Sequence, residues 1–176
     1  MRKVTFGGAI SFDHFIATKD DTVDWILWSK ESGELMRDYF NTIDTIVMGR
    51  RTYEVALRSG PLPVHKGVET YVLSRTLEPR REKGLTLVSE DVVDFVRRLK
   101  AEEGRDICIM GGGVLAQPLF EAGLIDEIRF NIHPVLLGSG VPLFHEMQQR
   151  IDLELVQCRQ LSNGCVVVTY RTKQAH

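Results

Sequence analysis

Asp106-Ile107-Cys108-Ile109-Met110-Gly111-Gly112-Gly113-Val114-Leu115-Ala116 is the stretch whose reading decides the fold. A short, mostly apolar strand pattern runs into three glycines, and a segment of helical length follows from Val114 to Ala122. In an open α/β sheet, ligands bind beyond the carboxyl ends of the strands. A glycine turn there lets backbone N–H groups crowd an anion at a helix N-terminus. A side chain at Gly112 would occupy the anion's space and demand a φ open only to glycine. The spacing Gly111-x-Gly113-x-x-Ala116 imitates a dinucleotide-binding fingerprint, but it comes late in the chain and lacks the acidic residue about 20 positions on. The competing reading is a tight turn that only packs helix on sheet.

Outward from this turn, Val4 to Ile10 reads as a first strand, with Gly7 and Gly8 allowing close backbone approach. Ser29 to Asn41 reads as a helix with Leu35, Met36, Tyr39 and Phe40 on one face. Thr45–Met48, Thr70–Leu73 and Leu85–Val88 are short strands, and Arg51–Leu57 is a short helix broken by the loop Ser59–Pro63. Ser89 is expected to cap a helix from Glu90 to Glu103. Glu127–His133 is a strand. The runs Leu153–Leu161 and Cys165–Tyr170 pair across Ser162-Asn163-Gly164, where Asn and Gly accept positive φ. Strands alternate with helices until a closing hairpin, which predicts one α/β domain over residues 1–176 with a mixed sheet.

Composition agrees with a globular domain that buries its own core: 176 residues, 43% hydrophobic and 26% charged. A net charge of −2 gives no basic field for nucleic acid. No apolar run approaches the ~20 residues that span a bilayer, and the chain opens on a strand pattern without a signal peptide. Three cysteines without C-x-x-C spacing argue against a disulfide framework or a zinc site. No two histidines have metal-ligand spacing on one helix, so no metal is expected. These features fit the cytoplasm.

Two further strand ends carry anion chemistry. Gly49-Arg50-Arg51-Thr52 follows Val47-Met48, and Ser74-Arg75-Thr76 follows Tyr71-Val72-Leu73. Guanidinium groups there suit phosphate oxygens, although two solvated surface arginines would look the same. Three such ends in one small sheet suggest a ligand with several phosphates. Basic residues where an NAD site would place a carboxylate favour the 2′-phosphate of NADP.

Ala9 with Ile16 seven residues on, Val47 to Thr52, Leu73-Ser74-Arg75 and Ile109 to Gly113 together resemble the dihydrofolate reductase-like framework. The closer resemblance is to the reductase domain of the riboflavin-biosynthesis deaminase-reductase, the RibD C-terminal domain, and its stand-alone relatives. It is carried by Ser11-Phe12-Asp13, Asp24-Trp25, Gly111 to Leu115, Gly123 to Glu127 and Pro134 to Phe144. The resemblance implies a three-layer α/β/α fold with a mostly parallel sheet, NADPH as cofactor, a small-molecule substrate and a homodimer. It implies that Ala9 and Ile16 bracket the nicotinamide with Trp25 near it. Gly49, Arg50, Arg51, Thr52, Leu73, Ser74 and Arg75 would hold the adenosine phosphates, and Gly111, Gly112, Gly113, Val114 and Leu115 the pyrophosphate. The activity implied is hydride transfer to a C=N or C=O group, as in 5-amino-6-(5-phosphoribosylamino)uracil reductase. A dihydrofolate reductase and a non-catalytic NADP-binding module are the alternatives.

Asp13 is the candidate for organising the catalytic site, with Glu34 behind it. A loop cap is the competing role for Asp13. The chain also departs from both relatives. The pterin-binding carboxylate position of dihydrofolate reductases falls near Gly33, beside Glu34. Met110 stands where the riboflavin enzymes carry an acid before the glycine turn, and His14 replaces a glycine after Ser11-Phe12-Asp13. The deaminase signature, H-x-E with P-C-x-x-C, does not occur.

Overall fold

The computed structural model describes residues 1–58, 60 and 65–173. Of the loop expected at Ser59–Pro63, all but Gly60 lies outside the described residues. The strands are β1 (Val4–Ser11), β2 (Phe15–Ala17), β3 (Ile43–Gly49), β4 (Glu69–Leu73), β5 (Arg80–Glu82), β6 (Leu85–Val88), β7 (Asp106–Met110), β8 (Glu127–His133), β9 (Val141–Pro142), β10 (Leu153–Gln160) and β11 (Val166–Thr172). The helices are α1 (Lys30–Thr42), α2 (Arg50–Arg58), α3 (Val92–Ala101) and α4 (Gly113–Glu121). The main sheet runs β10-β11-β8-β1-β7-β3-β4-β6-β5. Its centre, from β8 through β6, is parallel, and β5, β10 and β11 are antiparallel additions. β2 and β9 form a separate antiparallel pair.

Alternation along the central strands feeds two apolar layers. Phe6, Ile107, Ile109 and Phe130 bury against Phe95, Val96 and Leu99 of α3 and Leu119 and Phe120 of α4. On the opposite face, Ile46, Met48 and Cys108 meet Tyr53 of α2, with Tyr39 and Phe40 of α1 packed against them. Leu35 of α1 covers Leu161, Cys165 and Val167. The expected apolar face of α1 thus packs as read, with Met36 at its margin.

Most element boundaries differ from expectation by one or two residues, and the short strands β2, β5 and β9 were not expected. α3 is capped by Asp91, not Ser89, because the Asp91 carboxylate accepts from the Val93 and Asp94 amides at 2.9 and 3.2 Å. α1 begins with a reciprocal cap between Ser29 and Ser32. His14, at the position where the resemblance implies a glycine, has φ +62°, a left-handed conformation held without glycine.

At the amino-terminal edge of the sheet, the buried Arg2 ties three segments together. It donates to the Arg105 carbonyl at 2.6 Å, the Leu99 carbonyl at 3.2 Å and the Thr45 hydroxyl at 2.6 Å, and it pairs with Asp44. Its side chain is only 5% exposed, so its charge has few alternatives. Asp44→Ala strands that charge and is expected to cost about 3 kcal/mol in urea unfolding, whereas Arg2→Met in the same background recovers part of the loss.

Candidate active site

β3 and β7 are parallel neighbours, with Met48 opposite Met110, yet the chain leaves them toward opposite faces, into α2 and α4 respectively. That divergence opens a crevice at the carboxyl ends of the strands. A cleft of about 1290 Å³ runs from it across β1 and β8 to α1.

The glycine turn forms its upper wall. Gly111 has φ +129°, and a Cβ there would stand 2.5 Å from the Thr52 hydroxyl. Gly112 is the N-cap of α4 at φ −95°, a conformation any residue adopts, so the expectation that its φ requires glycine is corrected. What a side chain at Gly112 would fill is cleft space: its Cβ would meet Ile16 Cδ1 at 3.0 Å. As a glycine cap it offers no side-chain acceptor, and the first amides of α4 stay available to an anion.

Gly49, Arg50, Arg51 and Thr52 line the adjoining wall with Leu73, Ser74 and Arg75. Arg50 donates to the Thr76 hydroxyl at 2.9 Å, joining two of the expected strand ends. Arg51 is held by Asp21 at 2.7 Å. Arg75 makes no ion pair among the described residues. Ala9, Ile16, Gly113, Val114 and Leu115 also face the cleft, which gathers every expected cofactor contact except one. Trp25 is turned away, packed edge-on against His133 at 5.4 Å; Trp28 lines the cleft instead.

The two expected catalytic carboxylates do not reach the cleft. Asp13 accepts from the Ser11 hydroxyl at 2.6 Å and from the Leu137 and Gly138 amides at 3.2 and 2.7 Å. These bonds, led by that from Ser11, hold its pKa below the ordinary value and make Asp13 a clasp between two loops. Glu34 lies on the solvent side of α1 beside Lys30 at 3.9 Å. Ser32 is the residue of this turn that faces the cleft, and its hydroxyl is spent on the α1 cap.

The floor contains residues that the motifs did not single out: Tyr39, Cys108, Arg129, Asn131 and His133. The available signal was polar alternation, since Arg129, Asn131 and His133 occupy every second position of a strand buried in the sheet. Burial raises the Tyr39 phenol above its ordinary pKa and pushes the Cys108 thiol up to about 11, so both stay neutral. His133 is fully buried, and desolvation lowers its pKa. Its Nδ1 accepts the Leu27 amide proton at 3.1 Å, which places the proton of the neutral ring on Nε2.

A mostly parallel sheet between two helix layers, with a cleft at the diverging ends of β3 and β7, defines a dihydrofolate reductase-like domain. Residues 2–167 match the RibD C-terminal domain family, and the chain belongs to that family. It is 33% identical to the uncharacterized protein YyaP of Bacillus subtilis (strain 168) over 96% of this chain and 94% of the relative. A solved structure from Shewanella sp. PV-4, provisionally assigned to riboflavin biosynthesis, superposes with TM-score 0.84 at 28% identity, covering 99% of this chain and 100% of that one. Enterococcus faecalis dihydrofolate reductase, solved with NADP(H) and RAB-propyl, gives TM-score 0.71 at 20% identity over 98% and 97% of the two chains, a likeness of fold.

The His133 environment has a stability consequence. A folded pKa below the ordinary 6.5 means that the unfolded chain binds the proton first on acidification. Stability is therefore lost as pH falls below the unfolded pKa. Urea unfolding at about pH 7.5 and about pH 5.5 should show a larger loss for the parent chain than for His133→Gln. ¹⁵N NMR should show the Nε2–H tautomer at neutral pH.

Proposed function

We propose that this chain is an NADPH-dependent reductase, a single cytoplasmic domain that delivers hydride to a C=N or C=O group of a small molecule. The observation that carries the reading is the convergence of three anion-receptive strand ends on one cleft. The glycine turn leaves the α4 amides open, Arg50 bridges to Thr76, and Arg75 stands unpaired among the described residues. Diphosphate and a further phosphate are the ligand groups that this donor set fits. Bound there, the cofactor supplies the hydride.

The chain's own residues bind and orient. The amides of Gly113 and Val114 face the diphosphate position, with the Leu115 amide turned back to the Gly112 carbonyl, while Ser74, Arg75 and Thr76 face the terminal phosphate. Ala9 and Ile16 are apolar flanks for a flat ring, on β1 and β2. Asp13 contributes by position: it clasps the loop at Leu137 and Gly138 against the turn that carries β1 into β2. The family membership and the dihydrofolate reductase-like architecture support the same activity. A folate substrate is disfavoured, because no carboxylate occupies the α1 turn that faces the cleft.

Two copies are proposed to pair. All eight residues of the edge strand β10 are exposed, among them Leu153, Leu155 and Val156. An uncovered apolar edge is a liability that C2 pairing removes. Light scattering should therefore report about twice the 20.0 kDa chain mass.

The cofactor reading is tested by titrating NADPH and NADH while following cofactor fluorescence. One charge-assisted contact contributes about 1.5–3 kcal/mol, so NADPH should bind at least about tenfold more tightly. Arg75→Ala should bring the two affinities close together. Equal affinities in the parent chain would remove the NADP assignment.

A further inference from the structure

The floor of the cleft has a charge that no carboxylate among the described residues answers. Arg129 lies on β8 opposite Gly7 of β1 and Thr169 of β11, and its guanidinium sits 4.8 Å from the centre of the Tyr39 ring. Among the described residues it makes neither an ion pair nor a hydrogen bond. The carboxylates that line the cleft are engaged elsewhere: Asp21 with Arg51, Glu90 with Arg98, and Asp91 with the α3 amides. A half-buried guanidinium without a counter-charge is costly, and such groups are retained where a ligand supplies the charge.

The unpaired polar atoms gather at the same place. Among the described residues, the buried side-chain atoms without partners are Tyr39 Oη, Asn131 Oδ1, Thr169 Oγ1 and Trp25 Nε1. Tyr39 stacks with Arg129, Thr169 pairs with it across the ladder, and Asn131 is the next inward residue of the same strand. Trp25 packs on His133.

His133 decides which way Asn131 faces. Because Nε2 carries the ring proton, the atom of Asn131 that lies 3.1 Å from it has to be an acceptor. The amide nitrogen there would set two donors face to face, so the oxygen belongs at that position. The structure sets Asn131 Nδ2 at that position and leaves Oδ1 unpartnered; turning the amide over satisfies Nε2–H and puts the NH2 in the unpartnered position. Arg129 and Asn131 are therefore convergent donors two residues apart on one face of the floor. Gly7 and Ala9, facing them from β1, leave the space above open.

We propose that Arg129 and Asn131 bind a carboxylate on the substrate, which makes the substrate class a small, flat, unsaturated acid. This deepens the reductase reading, on which it rests for taking the bound acid as the molecule reduced. A carboxylate is planar and singly charged, matching one guanidinium edge and one amide. A phosphate monoester is tetrahedral with about two charges and calls for the richer donor set found at the other end of the cleft. Leu35, Met36 and Trp28 supply apolar walls for the body of the acid.

Calorimetric titration with benzoate, benzamide and phenyl phosphate tests this, on the chain alone and saturated with NADP⁺. Benzoate is expected to bind in both states, with benzamide at least about tenfold weaker and, once NADP⁺ fills the phosphate end, phenyl phosphate weaker than benzoate. Arg129→Met should weaken benzoate at least about tenfold and leave NADPH affinity within about twofold. Asn131→Asp, of equal size, should repel benzoate and provides a second test if Arg129→Met does not fold. The proposal is overturned if benzoate does not bind, if benzamide matches it, if phenyl phosphate binds more tightly to the NADP⁺-saturated chain, or if either folded variant keeps the parent affinity. Arg129-dependent benzoate binding in a chain that fails to bind NADPH would remove the cofactor reading and leave the carboxylate site standing.

Discussion

With φ at +129°, Gly111 turns the chain out of β7 so closely that a side chain there would stand 2.5 Å from the Thr52 hydroxyl. That approach brings the first turn of α2 and the start of α4 together over the ends of two adjacent parallel strands. The helices leave toward opposite faces, and the crevice between them is where backbone donors can meet a ligand without crossing a helix layer. The approach leaves no room for a Cβ: Gly113 likewise has the Leu143 carbonyl where a side chain would go. Close backbone packing at this point produces the upper cleft, and the rest of the sheet holds it in register.

The cleft is polar in two different ways along its length. Its upper part offers open amides and arginines at the rim, a setting for several phosphate oxygens close to solvent. Its floor lies inside the sheet and carries one guanidinium, one amide, one imidazole, one phenol and one thiol. Lower dielectric there makes each contact stronger and each unmet one more costly. The opposite edge of the sheet shows the contrasting solution: Arg2 is buried with three acceptors and Asp44, so its charge is answered within the chain.

Neighbouring residues can exchange roles without altering the sequence pattern. Trp25 and Trp28 are three positions apart, and the pattern does not choose between them. Packing does, because Trp25 fills the space beside His133 while Trp28 is left at the cleft. Asp13 is similar: a loop carboxylate reads equally as catalyst or clasp until Leu137 and Gly138, more than a hundred residues away, turn their amides toward it.

The sequence by itself determined the alternation of strands and helices, the closing hairpin, the glycine turn and the three anion-receptive strand ends. These are local properties, written in periodicity and in residues with special backbone freedom. The apolar face of α1, with Leu35, Met36, Tyr39 and Phe40, was legible in the same way. Only the tertiary structure decided the floor. Arg129, Asn131 and His133 carry no motif, and their alternation on β8 would equally describe a strand with one face in water. They become a site because β1 and β11 flank β8 and α1 lies across that face, bringing Tyr39 over Arg129. Which face of a strand is buried is set by partners distant in the chain, and no local pattern records them.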